Sequence, residues 1–447
     1  MSNTSTSSVR ATNKHALSHA MSGAEGLIPE LRFPEFINEG EWEENVLSNI
    51  TDAIFDGTHQ TPTYTESGIP FFSVENIVSG NKNKFISKED YEIATNKNKP
   101  EKGDILITRI GKIGFSAIVD WNYEFSIYVT LACIKQSKHF NSYFLHSYFQ
   151  SSTYQKEIFS KSLLNAVPCK INMNELRETK VLLPKPQEQQ KIASCLSSLD
   201  ELLAAHNEKL QALKDHKKGL MQNLFPYPSA SSVPGKSGGE RSRTPNYRFP
   251  EFKKDGEWVE KILGKICDVR DGTHDSPKYI SDGFPMITSK NLSENGEMDF
   301  DKVSYITKED YEKINQRSKV DIGDILFGMI GTIGNPVLVK RDGFAIKNVA
   351  LIKSKGGLNQ QYLLHLLKSD FIAEQFHKAN AGGILKFIAL GMIRKLVIST
   401  PSLKEQQKIA SCLSAVDEII TAQTKKIEQL KQHKKGLMQG LFPKIEN

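Results

Sequence analysis

Asp56-Gly-Thr-His59 and Asp271-Gly-Thr-His274 place a carboxylate and an imidazole three residues apart, twice, in a chain of 447 residues. An Asp-His pair can move protons in hydrolysis, but neither histidine has a nucleophile and a further carboxylate arranged with it, so a hydrolytic role is not expected. An Asp-Gly turn can also serve the backbone alone. A third chemistry is recognition, because these side chains donate to and accept from the edges of nucleic-acid bases. The residues that follow differ, Gln60-Thr-Pro62 against Asp275-Ser-Pro277, with Lys278 next in the second copy. The base-contact candidates are therefore Thr58, His59 and Gln60, and Thr273, His274 and Lys278.

Other polar groups fall beside these. Ser73, Glu75 and Asn76 follow one strand-like run, and Ser289, Lys290 and Asn291 follow its counterpart. Arg109 precedes and Lys112 lies within Gly111-Lys-Ile-Gly114, set against Gly328 before and Thr332 within Gly331-Thr-Ile-Gly334; glycine turns let a backbone approach a ligand closely. Arg109 is the strongest guanine candidate, since a guanidinium can grip O6 and N7 together. Lys170 and Lys386 suit phosphate contacts. Lys82, Lys84, Lys97, Lys99 and Lys102 form one basic patch, and Lys313, Arg317 and Lys319 another; a solvated charged face explains any single one of them equally well.

No catalytic residue is assigned. Gly235-Lys-Ser237 imitates the end of a phosphate-binding loop, but the glycine needed five positions earlier is Ala230. Asp200-Glu201 and Asp417-Glu418 imitate a helicase acidic box, yet both sit in helical heptads where charged flanks belong. No GxGxxG occurs, and Asn335-Pro336 is followed by valine, where amino-methyl transfer would need a second proline and an aromatic residue. Five cysteines without CxxC spacing indicate neither zinc nor a disulfide framework, so structural thiols are expected.

The elements that must hold these residues are doubled. Glu188 to Pro226 returns 217 positions later as Glu405 to Pro443 with two thirds of the positions identical, which marks an internal repeat. Within it Ile192, Leu196, Leu199, Leu203, His206, Leu210, Leu213, Lys217, Leu220 and Leu224 alternate steps of four and three, the seam of a coiled coil. Ile409, Leu413, Val416, Ile420, Gln423, Ile427, Leu430, Lys434, Leu437 and Leu441 take the same seats. Such a helix spans roughly 50 Å. Parallel packing in register would set Lys217 against Lys434, so antiparallel packing is expected, with Lys217 near Val416, Lys434 near Leu199, and both ammonium groups reaching solvent. Two globular domains would then sit at opposite ends of a rod.

Strand-like runs such as Asp104–Thr108, Val129–Ile134 and Ala350–Ile352 are punctuated by turn formers. Tyr143 to Lys161 and Tyr362 to Lys378 carry helical apolar spacing, and each is expected as one helix. Ser402-Leu-Lys-Glu405 forms a capping box at the second long helix. The fold class is therefore α/β (α+β): two tandem domains, each a twisted mixed sheet with helices, and two long antiparallel helices under internal pseudo-two-fold symmetry. Expected boundaries are a disordered tail at 1–26, a first domain at 27–184, a helix at 185–226, a Ser/Pro/Gly linker at 227–246, a second domain at 247–400 and a second helix at 401–447. Met21 is an alternative start to Met1.

The two copies share an order of landmarks: Arg32-Phe-Pro-Glu-Phe36 with Gly40-Glu-Trp42, the Asp-Gly-Thr-His tetrad, the Gly-x-Ile-Gly turn, then Glu-Gln-Gln-Lys-Ile-Ala-Ser and a helix closing in Lys-Lys-Gly-Leu-Met-Gln-x-Leu-Phe-Pro. In that order and over nearly the whole chain the sequence resembles the DNA-specificity (S) subunit of type I restriction-modification enzymes. The resemblance implies two target recognition domains, each reading half of a split asymmetric site on double-stranded DNA. It also implies two methyltransferase (M) subunits held by the helices, with restriction (R) subunits joining for cleavage. No cofactor is expected in this chain; S-adenosylmethionine, ATP and Mg would belong to those partner subunits. The chain itself is then a non-catalytic subunit of an adenine methyltransferase and ATP-dependent endonuclease.

Charge alone does not mark a DNA-binding protein. Lys and Arg total 58 against 52 acids, a net charge of +6, and the first repeated helix holds five of each sign, so the rod is expected to contact protein. Hydrophobic content of 38% supplies two cores, and neither a membrane span nor a signal peptide is expected, leaving a cytoplasmic protein. A stand-alone tandem DNA-binding regulator would bind an operator without other subunits. A coiled-coil scaffold would show no sequence-dependent DNA affinity.

Overall fold

The structure is a computed structural model describing residues 27–80, 84–226, 244–331, 333–354, 356–379 and 387–444. The expected tail and residues 227–243 of the expected linker lie outside the described residues, as do Lys82, Thr332 and Lys386. The chain forms two compact units, Met1–Ala205 with Ile427–Asn447, and His206–Lys426. Each unit thus holds one globular domain, the first half of the long helix that follows it, and the second half of the other long helix.

In the first unit a four-stranded antiparallel sheet runs in the order Ile54–Asp56, Leu131–Ile134, Ile105–Thr108, Ser116–Ile118. The two central strands are apolar or nearly so and buried at every residue, because both faces of the sheet are covered. A second four-stranded sheet, Tyr64–Thr65, Phe85–Ile86, Ile69–Phe72 and Ser126–Ile127, ends in a parallel pair. Glu43–Val46 and Lys180–Leu183 close the domain as an antiparallel ribbon. The second unit repeats all three sheets: Cys267–Asp271, Val349–Ser354, Ile325–Gly328 and Gly334–Leu338; then Tyr279–Ile280, Ser304–Ile306, Phe284–Ile287 and Ala345–Ile346; then Val259–Ile262 with Val397–Thr400.

Each single helix expected before the last strand is instead two. Ser142–Phe149 and Ser152–Ser160 part at Ser151, whose hydroxyl accepts from the Tyr154 amide and starts a new helix. Gln360–Leu367 and Asp370–Ala379 part at Ser369, whose hydroxyl donates back to the Leu366 carbonyl at 2.6 Å and closes the first helix. Apolar spacing continues across both breaks, so the serine hydroxyl bonds that end one helix or start the next do not register in it.

The long helices are Pro186–Leu224 and Leu403–Leu441, 39 residues each. At about 1.5 Å per residue each measures roughly 58 Å. All twenty seam positions are buried or half-buried. In the first unit Ile192, Ala193 and Leu196, near one helix start, share a core with Trp42 and with Leu441 and Phe442 from the other helix end. In the second unit Leu224 and Phe225 meet Trp258, Ile409 and Leu413 in the same way, so the helices run antiparallel. The lysines depart from expectation: Lys217 bonds Asp417 at 2.6 Å and Lys434 bonds Asp200 at 2.5 Å. Their side chains are only 16% and 17% exposed, and a half-desolvated ammonium takes a carboxylate one residue past the expected neighbour instead of reaching solvent unpaired. The polar seats also meet, with the Gln423 amide donating to the His206 carbonyl at 2.7 Å.

The repeated landmarks are joints. Arg32 grips Glu188 through Nε and Nη2 at 2.8 and 2.7 Å, and Arg248 grips Glu405 at 2.8 Å through both. That grip corrects the expected capping box: the Glu405 amide donates to Ser402 Oγ at 3.4 Å, but its carboxylate is committed to Arg248. Gln189 accepts from the Asn141 amide and donates to the Pro184 carbonyl, and Gln406 does the same with Asn359 and Pro401. Both glutamines thereby fix a domain helix against the start of a long helix.

Candidate nucleic-acid interface

Each Asp-Gly-Thr-His tetrad leaves the first strand of its domain's main sheet. Gly57 packs so closely on the neighbouring segment that a Cβ there would lie 2.0 Å from the Ile127 carbonyl oxygen, and at Gly272 one would lie 2.2 Å from that of Ile346. Only glycine fits this approach. It lets the Thr58 and Thr273 amides donate to the Ile127 and Ile346 carbonyls, each at 3.0 Å. The loop beyond is thus launched identically in both domains, with His59, Gln60 and Lys278 exposed and Thr58 and Thr273 half-buried.

The acid of each tetrad is a hub. Asp56 accepts from His59 Nε2 at 3.0 Å and from Arg109 at 2.9 Å. Asp271 accepts from His274 Nε2 at 2.8 Å and from Arg317. Burial would raise the Asp271 carboxyl, but the His274 hydrogen bond and the Arg317 charge outweigh it and hold it below the usual range. The Asp271 hydrogen bond, then that of Asn348, raises the His274 imidazole. With both ring nitrogens engaged, His274 is built to be held in place, not to shuttle protons.

Arg109 stands elsewhere than a guanine reader would. Its guanidinium bonds Asp56, the Val129 carbonyl at 3.0 Å and the Ile171 carbonyl at 3.3 Å, with 7% of the residue exposed. Burial lowers its pKa, offset in part by Asp56. The matching of copies also shifts by one residue: Ile171 donates to the Arg109 carbonyl as Ile388 donates to that of Met329, so Met329, not Gly328, is the counterpart. Ser73 similarly corresponds to Thr288, not Ser289. Ser73 with Asn76 and Thr288 with Asn291 form two capping boxes, leaving those asparagines as backbone caps. Buried Ser289 donates to the Asn348 carbonyl at 3.1 Å, while Lys290 and Lys112 are exposed. Lys112 lies between Gly111 and Gly114, at φ +86° and +85°. Lys170 is half-buried and exchanges two backbone hydrogen bonds with Leu163.

One residue that the sequence did not single out completes each loop, Tyr128 in the first domain and Lys347 in the second. Thr58 bridges to Tyr128 and Thr273 to Lys347, at one place in the fold. The Tyr128 hydroxyl meets Thr61 Oγ1 at 3.2 Å; Lys347 donates to Ser276 Oγ at 3.0 Å. Each directly follows the strand paired in parallel, Ser126–Ile127 or Ala345–Ile346, a position readable only once the copies are aligned on structure.

A family model for the type I restriction modification DNA specificity domain matches twice, at residues 40–215 and 255–432. The chain belongs to the type I DNA-specificity family. It is 26% identical over 414 residues to the protein assigned as the type I restriction enzyme MjaX specificity subunit of Methanocaldococcus jannaschii, covering 90% of this chain and 93% of that one. It is 22% identical over 370 residues to the Escherichia coli EcoBI specificity subunit, covering 77% and 72%. Its fold is similar to the crystal structure of the type I S subunit from M. genitalium, at TM-score 0.59 and 16% identity, covering 94% of this chain and all of that one. A second similar chain, at TM-score 0.53 and 15% identity over 90% and 97%, comes from a structural study of type I system assembly and conformational transition. Members of this specificity family are non-catalytic subunits. Among the described residues, no helix is long and apolar enough to cross a membrane.

Proposed function

We propose that this chain, a DNA-specificity subunit by family, reads a split, asymmetric site on double-stranded DNA with one half-site per domain. The observation that carries the reading is the pair of tetrad loops: one backbone anchored identically by Gly57 and Gly272, presenting His59 and Gln60 in one domain and His274, Asp275 and Lys278 in the other. Shared scaffolding with unlike side chains is what two different half-sites require. Thr58, Gln60 and Lys112 contact the first half-site; Thr273, Lys278 and Lys290 contact the second. Lys170 and Lys386 meet phosphates. Asp56, Arg109, Asp271 and Arg317 position the loops without touching bases.

The long helices set the gap between half-sites and present one repeated face to two methyltransferase subunits, restriction subunits joining for cleavage. S-adenosylmethionine, ATP and Mg act in those partners, in the cytoplasm. Exchanging residues 27–184 for those of another family member tests the reading. One half of the methylated motif should change; a change in both halves would contradict it.

A further inference from the structure

A cavity of about 560 Å³ opens in the unit His206–Lys426, away from the tetrad loop. Lys214, Lys217 and Lys218 line it from one long helix, Lys368 from the corner after Gln360–Leu367, and Met221 and Ile420 give it an apolar wall. Residues spaced by three and four share a helix face, and like charges there repel. Asp417 neutralises Lys217 at 2.6 Å, leaving Lys214, Lys218 and Lys368 beside Asp370 and Glu294. Asp370 already accepts from Gln222 at 3.4 Å. The ammonium groups of Lys214, Lys218 and Lys368 make no hydrogen bond or ion pair with any described residue. Burial lowers the Lys368 pKa, Lys217 lowers it further, and Asp417 opposes both. A partly desolvated cation without a partner costs stability unless an anion arrives.

The repeat narrows the choice of anion. Lys368 donates its amide to the His365 carbonyl as Gln150 donates to that of Ser147, so Gln150 is its counterpart. The Gln150 side-chain amide nitrogen is satisfied by His146 Nε2 at 2.7 Å. A lysine on one repeat only does not suit a partner that docks identically on both.

We propose that this cavity binds a phosphate-bearing small molecule, its phosphate held by Lys214, Lys218 and Lys368 and its apolar part against Met221 and Ile420. The volume lies within the roughly 300–1,000 Å³ common to small-molecule sites. DNA reading does not depend on it.

Calorimetric titration of the full chain with pyrophosphate and with ADP, at low salt, tests the proposal. One site per chain is expected, with affinity at least tenfold weaker in Lys368→Gln, a variant carrying the residue its counterpart uses. A tenfold preference for ADP would place a nucleoside on the apolar wall, and equal binding would identify phosphate alone; either supports the site. Absence of binding at millimolar probe would overturn it. So would full affinity in both Lys368→Gln and the double variant Lys214→Gln/Lys218→Gln, or capture of an acidic peptide by a chain that ignores both probes. Should Lys368→Gln fail to fold, the double variant decides.

Discussion

At the scale of single residues, charge is spent on holding loops. Arg109 is the clearest case, and it was misleading in the sequence because the arginine type suits guanine while its burial is set by strands far apart in the chain. Arg109→Ala leaves Asp56 without its guanidinium partner, and breaking a largely buried pair costs about 3 kcal/mol. Urea unfolding should show that loss, whereas Gln60→Ala should leave stability within about 0.5 kcal/mol and weaken DNA binding in a fluorescence titration. The histidines divide by sign. His274 has a raised pKa, so its contribution is fully present below about pH 6.5 and is lost as pH rises through the raised value. Burial, first among its causes, lowers His146 and His365 to about 4 from 6.5, so they stay neutral when folded but protonate when unfolded. Stability should therefore drop from pH 6.5 to 4, by about 3 kcal/mol for each. Unfolding across pH should show His146→Gln and His365→Gln flattening the acid limb and His274→Asn the other.

At the scale of elements, the heptad seam was legible because it repeats every three and four residues and is copied. What apolar spacing does not carry was not: the local hydroxyl bonds of Ser151 and Ser369 that break each domain helix, and the carboxylates from far along the chain that meet Lys217 and Lys434. The repeated landmarks were visible as identities, but their reason lay in the fold. Glu188 and Glu405 are held by Arg32 and Arg248, joining each domain to a long helix. Glu188→Ala leaves a buried arginine unpaired and should cost about 3 kcal/mol in urea unfolding. Inserting one heptad into both helices keeps the seam in phase and should lengthen the gap in the recognised site while leaving both half-sites unaltered.

At the scale of the whole molecule, duplication fixes what is shared and what is free. The sheets, the tetrad glycines and the arginine-glutamate joints recur, so fold and domain order could be read from one sequence. The loop chemistry does not recur: Tyr128 stands where Lys347 does, and Arg109 and Arg317 hold equivalent acids from different elements. Those substitutions follow from contacts between distant strands, which is why the candidate base-contacting set was only partly legible. A duplicated scaffold with unlike loops is built for one bipartite DNA site. Methylome sequencing of a methyltransferase-competent host with and without the gene tests it most directly. Loss of one modified split motif is expected when the gene is removed; an unchanged methylome would rule out a specificity role for this chain.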